Sequence, residues 1–412
     1  MFLNSLLQRN RAFVRAAVEL HQAGEIPPNS YVLDLDAMRE NARLISDKAH
    51  ELGLTVFAMS KQFGRNPPAL DAVVDGGVDG FVAVDMGCVL PIVHAGHPVG
   101  HIGHVVQIPR HEAPRASAAN PSFWTVYSLQ KAAEAAAAAA EQGNEQRLLA
   151  RVHAPGDSFY PGQEGGFPVE TIDEVLEAIA ALDGAAFGGI TTFPAIRYDQ
   201  DSHALQASPN AKTLERAANR LSELGIGHIE INAPGNTSVA ALDLLASLGA
   251  TQVEPGHGLT ATTPLHAHHR LPETPAALYL SEVSHEHGGR AYCFGGGLYV
   301  DPVFGEYPMQ ALVGATAEAA LERRVEVTLP PLEGIDYYAM LDAESHRPAA
   351  GDTVVFGFRI QAFVTRAYVV PLSGVASDSV KVEGIWTTAG TPVDWPEYSD
   401  CLSGTVETRR RT

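Results

Sequence analysis

Between residue 31 and about residue 250, nine short apolar runs alternate with helical stretches, and this alternation constrains the fold more than any other feature of the chain. The runs cover residues 31–36, 55–60, 80–85, 101–107, 123–128, 148–153, 187–192, 228–233 and 251–254. Strand–helix alternation builds a parallel sheet, and eight such units close into a (β/α)8 barrel of the TIM type. If the first run belongs elsewhere, run 55–60 becomes barrel strand one and run 251–254 becomes strand eight, and closure makes them neighbours. The intervening helices fit this scheme. Residues 37–52 gather Met38, Ala42, Leu44, Ile45 and Ala49 on one broad face, and residues 131–142 are nearly all alanine, the best helix former. Residues 168–182 and 210–224 are further amphipathic helices, with Pro168 suited to a first turn.

Past Gly258 the pattern changes. A histidine-bearing linker leads into runs 277–283, 290–294, 324–329, 353–358 and 362–372, separated by turns and poor in helical periodicity. The expected organisation is an N-terminal helix (1–25), a barrel (26–258, with 31–36 free to join the later sheet) and a mainly β domain (259–412). A chain of 412 residues is long for one core, which agrees with two domains. The net charge of −20 excludes a nucleic-acid footprint. Cys88, Cys293 and Cys401 are too few and too scattered for a disulfide framework, which fits a cytoplasmic protein. Leu3, Leu6, Leu7, Phe13, Val14 and Val18 recur at helical spacing, but Arg9, Arg11 and Arg15 interrupt them, so the segment reads as a helix packed on the body and not as a membrane span or leader. Arg409, Arg410 and Arg411 read as a disordered basic tail.

Barrels present their chemistry where strands end. Run 55–60 ends in Lys61, and Gly64 and Pro67 then break the strand. A lone strand-end lysine ordinarily snorkels into solvent, so the other strand ends decide its meaning. After run 228–233 come Pro234, Gly235, Asn236, Thr237 and Ser238, and run 251–254 ends in Glu254 followed by Pro255, Gly256, His257 and Gly258. Glycine-containing turns with hydroxyl and amide groups opening a helix hold phosphate through backbone N–H groups. A lysine, a phosphate cradle and a carboxylate on adjoining strand ends form a pyridoxal 5'-phosphate constellation, with Glu254 against the ring nitrogen.

The chain resembles the alanine-racemase-like, fold-type III pyridoxal-phosphate proteins, and within them the YhfX-type subgroup. The resemblance runs through Ser60-Lys-Gln-Phe-Gly-Arg-Asn-Pro67, His104-Val-Val-Gln-Ile-Pro109, Tyr160-Pro-Gly-Gln-Glu164, Asn232-Ala-Pro234, Glu254-Pro-Gly-His257, Tyr292-Cys-Phe-Gly-Gly-Gly297 and Phe363-Val-Thr-Arg366. It implies a homodimer whose active sites are shared, with an amino acid as substrate. Lys61 matches the Schiff-base lysine, and Arg65 stands where alanine racemases carry a tyrosine near the phosphate. Asn236, Thr237, Ser238, Gly256 and His257 match the phosphate loops. Glu254 replaces the arginine of alanine racemases and matches the glutamate of related decarboxylases. A carboxylate keeps the ring nitrogen protonated and deepens the electron sink. Thr192 stands where the family places a histidine against the ring.

Racemisation needs bases on both faces of Cα. Lys61 supplies one, and Tyr292 and Cys293 of the partner's β domain are the candidates for the other. Arg359 and Arg366 are candidates for a substrate carboxylate. His266, His268, His269, His285 and His287 read as surface histidines. The His-x-Cys metal site of related D-threonine aldolases is missing from residues 358–363, so no metal is expected. The expected activity is an amino-acid racemase or epimerase. A decarboxylase or aldolase-type lyase, or a non-catalytic pyridoxal-phosphate carrier, are the alternatives.

Overall fold

The computed structural model describes residues 1–305, 308–342, 348–377 and 379–393; Cys401 and the basic residues 409–411 lie outside the described residues. Eight strands, Thr55–Met59, Gly80–Ala83, Val99–Ile102, Phe123–Val126, Gln146–His153, Ala185–Thr191, Glu230–Asn232 and Gln252–Val253, pair in parallel in chain order. The eighth returns to the first, with Gln252 opposite Thr55 and Val253 opposite Val56. The sheet is therefore a closed parallel barrel, and closure sets the ends of strands one and eight side by side. Run 101–107 stays a strand only to Ile102. Gly103 adopts φ +73°, and a Cβ there would sit 2.6 Å from the Thr125 carbonyl oxygen, so the chain turns and delivers His104 on a loop.

The first run is not a barrel strand. Ser30–Asp34 pairs antiparallel with Ala277–His287 and in parallel with Tyr368–Ser373. Flanked on both edges, all five of its residues are buried. Asp34 then caps the helix Leu35–Glu51, its carboxylate accepting from the N–H groups of Asp36 and Ala37. Helix Leu129–Ala140 is capped by Ser128. The third expected helix is shorter than its apolar pattern, Ile172–Ala180. Pro168 precedes it, in a two-residue bridge to the fifth barrel strand.

The N-terminal segment is two helices, Phe2–Arg9 and Arg11–Gln22, where one was expected. Asn10 breaks the helical path at φ −144° and ψ 52°, and its side-chain amide donates to Asp34 Oδ2 (2.8 Å) and to the Pro275 carbonyl (2.9 Å). Their apolar faces, including Leu6, Phe13, Val14 and Val18, pack on Leu278, Leu280, Val355 and Val370 of the second domain.

That domain is a closed antiparallel barrel in its own right. Ala277–His287, Arg290–Phe294, Tyr338–Asp342, Arg324–Thr328, Met309–Gly314 and Thr353–Phe356 pair in that order, and the last returns to the first. Strands Met309–Gly314 and Tyr338–Asp342 were not expected. Against the first domain it presses the turn Ala362–Val364, which packs on the turn Ser60–Phe63 carrying Lys61. Among the described residues no helix is long and apolar enough to cross a membrane.

Candidate active site

The chain leaves barrel strand one into the 3-10 turn Ser60–Phe63, which places Lys61 at the strand's C-terminal end. Gly64, at φ +80°, stops the turn, and Asn66 caps the following helix by accepting from Ala69 N–H at 3.0 Å. The Lys61 amine lies 4.8 Å from the Phe363 ring centroid. Burial lowers its pKa, and nearby Arg65 and Arg359 act in the same direction against Cys88 and Asp85. A lysine so placed gives up its proton more readily than an exposed one.

A cavity of about 520 Å³ opens beside it, lined by barrel residues that include Lys61, His104, Tyr160, Asn236, Thr237, Glu254, Gly256 and His257 and by Tyr299, Asp301, Arg359 and Gln361 from the second domain. That volume suits a small cofactor with its substrate. Of the residues expected from sequence, seven line it: Lys61, Asn236, Thr237, Glu254, Gly256, His257 and Arg359. Ser238 lies just behind them, fully buried at the N-cap of helix Val239–Ser247. Arg65 is buried with its guanidinium 6.0 Å from the Phe363 ring, and Thr192 is fully buried; neither is among the lining residues.

Glu254 is the most enclosed charge of the cavity. Its Oε1 accepts from His101 Nδ1 (2.6 Å) and from the Asn232 amide (2.8 Å), and His104 Nε2 approaches Oε2 at 3.6 Å. Burial alone would raise its pKa, but the imidazoles packed on it and the hydrogen bonds donated by His101 and Asn232 outweigh that and hold the carboxyl below the ordinary carboxylate range. Burial holds His104 neutral, its pKa down to about 3. The ligand atoms of His101, His104 and Glu254 lie within 4.8 Å of one another, close enough to hold a metal ion. Several buried polar atoms around the cavity have no hydrogen-bond partner in the chain: Thr192 Oγ1, Thr237 Oγ1, Ser238 Oγ, Glu254 Oε2 and His104 Nδ1. Unpaired buried polar atoms are costly, and their gathering here points to a polar ligand.

The remaining expected residues stand as follows in the single chain, Tyr292 and Cys293 having been expected to act from the partner's β domain. Tyr292 stacks on the exposed His285 at 4.7 Å between centroids, away from the cavity. Cys293 is fully buried within the β domain, and burial pushes its thiol up to about 12. Arg366 is half-exposed and paired with Asp336 at 3.0 Å. Arg359 does line the cavity, paired with Asp301 and 3.2 Å from His257 Nδ1. Of the five histidines read as surface groups, His266 is buried between Thr263 and Glu273, while His268, His269, His285 and His287 are exposed. The sequence reading assigned no role to Asp301, Gln361, Tyr299, Tyr160, His101 or His104, although Tyr160 and His104 sit in motifs that carry the resemblance.

Comparison with known proteins bears on this arrangement. A family model described as the alanine racemase N-terminal domain matches residues 33–264, and one described as the YhfX-like C-terminal domain matches residues 278–382. The uncharacterized protein YhfX of Escherichia coli (strain K12) is 37% identical over 392 residues, 95% of this chain and 99% of that protein. D-threonine aldolase from Filomicrobium marinum superposes with a TM-score of 0.64 at 16% identity, over 89% of this chain and 96% of that one. Alanine racemase from Clostridium difficile 630 gives 0.60 at 15% identity, over 88% and 98%. D-threo-3-hydroxyaspartate dehydratase from Delftia sp. HT23 gives 0.64 at 16% identity, over 88% and 97%. At these identities the solved structures share the fold, and these three are named for three different reactions.

Proposed function

The chain belongs to the alanine racemase family and carries a YhfX-like C-terminal domain, and on that premise we propose that it is a pyridoxal-phosphate-dependent enzyme acting at Cα of an amino acid, as a racemase or epimerase. The observation that carries this reading is the convergence of Lys61, Glu254 and the unpartnered Thr237 hydroxyl on one cavity, with the unpartnered Ser238 hydroxyl just behind its wall. These residues fit the cofactor. Asn236, Thr237 and Ser238, with the turn at Gly256 and His257, would hold its phosphate at a helix N-terminus, where backbone N–H groups point outward. Glu254 Oε2 would accept the proton of its ring nitrogen. Arg65 and Thr192 would support it from behind the cavity wall. Bound there, pyridoxal phosphate supplies an electron sink for the carbanion left when a bond at Cα breaks.

The chain's own groups do the rest. Lys61 would carry the cofactor until the substrate's amine displaces it, and its freed, buried and more readily neutral amine would then accept the Cα proton from one face. The cavity wall offers two tyrosine hydroxyls, Tyr160 and Tyr299, for the opposite face; Tyr292 and Cys293 of the same chain lie away from it. Phe193 and Phe363 flank His104 and Lys61 and exclude water from that side. The reading extends to a cytoplasmic homodimer, supported by buried free thiols at Cys88 and Cys293 and by exposed Leu332, Ile335 and Tyr337 on the β domain.

A second reading, a lyase or decarboxylase, is favoured by Glu254, since a protonated ring nitrogen serves any Cα bond cleavage. Borohydride reduction of the holoprotein followed by peptide mass mapping tests the cofactor assignment: a pyridoxyl mass on Lys61, absent in Lys61→Ala, is expected. Incubation with both enantiomers of each amino acid in deuterated water tests the reaction. Deuterium at Cα with inversion supports racemisation, carbon dioxide or aldehyde release supports the second reading, and neither across the panel favours a carrier.

A further inference from the structure

Arg359 and Gln361 enter the cavity from one short segment and share one anchor. The Arg359 guanidinium is ion-paired with Asp301 Oδ2, and the Gln361 amide donates to that same oxygen at 2.6 Å. Asp301 is itself fixed, its Oδ1 accepting from Val303 N–H at 3.0 Å. A carboxylate only accepts hydrogen bonds, so the Gln361 nitrogen must face Asp301 and its Oε1 must face away. His257 is oriented in the same manner: its Nε2 donates to the Ile360 carbonyl at 2.8 Å, leaving Nδ1 to accept from Arg359 at 3.2 Å. Two buried polar atoms then remain without a partner, the Arg359 Nε donor and the Gln361 Oε1 acceptor, on residues that line the same cavity as Lys61.

We infer that Arg359 and Gln361 select the substrate's side chain, accepting an amino acid that carries a neutral hydroxyl or carboxamide. This rests on the proposed action at Cα. A hydroxyl accepts from Arg359 Nε–H and donates to Gln361 Oε1, and a carboxamide does both through its two ends. A side-chain carboxylate fits poorly. Asp301 already neutralises the guanidinium, and a second carboxylate would meet its charge and the Gln361 oxygen, neither of which can donate. An apolar side chain leaves both atoms buried and unpaired, the situation that gives hydrogen-bonding sites their large discrimination.

The test uses holoprotein and measures Cα deuterium exchange for both enantiomers of serine against 2-aminobutyrate, and of asparagine against leucine and aspartate. The expected result is at least about a tenfold preference in kcat/KM for serine over 2-aminobutyrate or for asparagine over leucine and aspartate; the two arms separate the hydroxyl from the carboxamide. In Gln361→Met the preferred-to-apolar ratio falls at least about tenfold, with the pyridoxyl mass still found on Lys61. Equal rates for the polar and apolar partners, or a preference for aspartate, with Lys61 still carrying the cofactor, overturns this assignment alone. No pyridoxyl mass on Lys61 and no exchange with any amino acid overturns the proposed function and this assignment with it.

Discussion

His101 Nδ1 lies 2.6 Å from Glu254 Oε1, and solvent reaches neither side chain to more than 1%. Because the ionised carboxylate can only accept, a proton sits on His101 Nδ1, and Nε2 shares a hydrogen bond with the Thr125 hydroxyl at 2.6 Å. Asn232 Nδ2 adds a second donor to the same carboxylate oxygen, and its own Oδ1 accepts from Thr191 at 2.8 Å. Oε1 is therefore committed to the protein, while Oε2, with His104 Nε2 at 3.6 Å, has no hydrogen-bond partner on a residue that lines the cavity. One carboxylate is both anchored and presented.

This division predicts the behaviour of Glu254→Gln. The amide keeps the shape and still accepts from one neighbour, but it removes the charge that would hold a proton on the ring nitrogen. Cα exchange is expected to fall on the order of 100-fold, while stability changes little compared with Glu254→Ala, which strands His101 and Asn232 and costs about 3 kcal/mol or more. Exchange rates and urea midpoints of the two variants check this. A rate within twofold of the parent protein would remove Glu254 from the chemistry.

How much of the site was legible follows from how each residue arrives. Lys61 and Glu254 could be read because they terminate strands of a closed eight-stranded pattern, and closure makes strands one and eight neighbours whatever the side chains. His104 was hidden inside an apolar run whose strand stops at Ile102, because Gly103 turns the chain there. Asp301 and Gln361 carry no periodic signal. They meet each other inside the second domain, 60 residues apart in the chain, and reach Lys61 and Glu254 only because that domain folds back onto the barrel mouth, a tertiary event. Tyr292 and Cys293 were expected to act from the partner's β domain; within one chain, strand alternation sends the thiol into the β domain and the ring onto His285.

Gly64 joins the lysine turn to the second domain. At φ +80° it would be strained by any side chain, and a Cβ would lie 2.5 Å from Val369 Cγ2. Gly64→Ala is expected to cost about 2–4 kcal/mol, combining left-handed strain with overpacking. In a Val369→Ala background the Cγ2 clash is removed, leaving only a close 3.3 Å approach to Cβ, and the added cost falls to about 1–2 kcal/mol. A double-mutant cycle in urea measures the difference, and strict additivity would contradict the contact.

His21 reports on pH. It is buried in the second N-terminal helix, its Nδ1 2.7 Å from the Thr353 hydroxyl, and burial lowers its pKa to about 4 from an ordinary 6.5. Below pH 6.5 the unfolded chain binds a proton that the folded chain refuses, so stability rises with pH in this window. Its contribution is complete above about pH 6.5 and is lost as the pH falls toward 4, by at most about 3 kcal/mol. His21→Gln should flatten the stability profile between pH 7 and pH 4.5, read as urea midpoints. An unchanged slope would mean that His21 is not the group responsible.

Cys293 separates a structural thiol from a catalytic one. It is fully buried on a strand paired on both sides, opposite Val283 and Ala339, and its thiol is pushed up to about 12. A thiol so enclosed is protonated at neutral pH and reaches neither its own cavity nor a partner's surface. Cys293→Ala should therefore leave Cα exchange within about twofold and cost about 1 kcal/mol, the scale of a small buried group removed. Native protein should also react slowly at this position with a thiol reagent and quickly only when unfolded. A base on the reacting carbon would behave otherwise: its loss would cost about 100-fold or more in rate with little change in the urea midpoint. Mass mapping of the labelled peptide, beside the exchange rate of Cys293→Ala, distinguishes the two outcomes in one preparation.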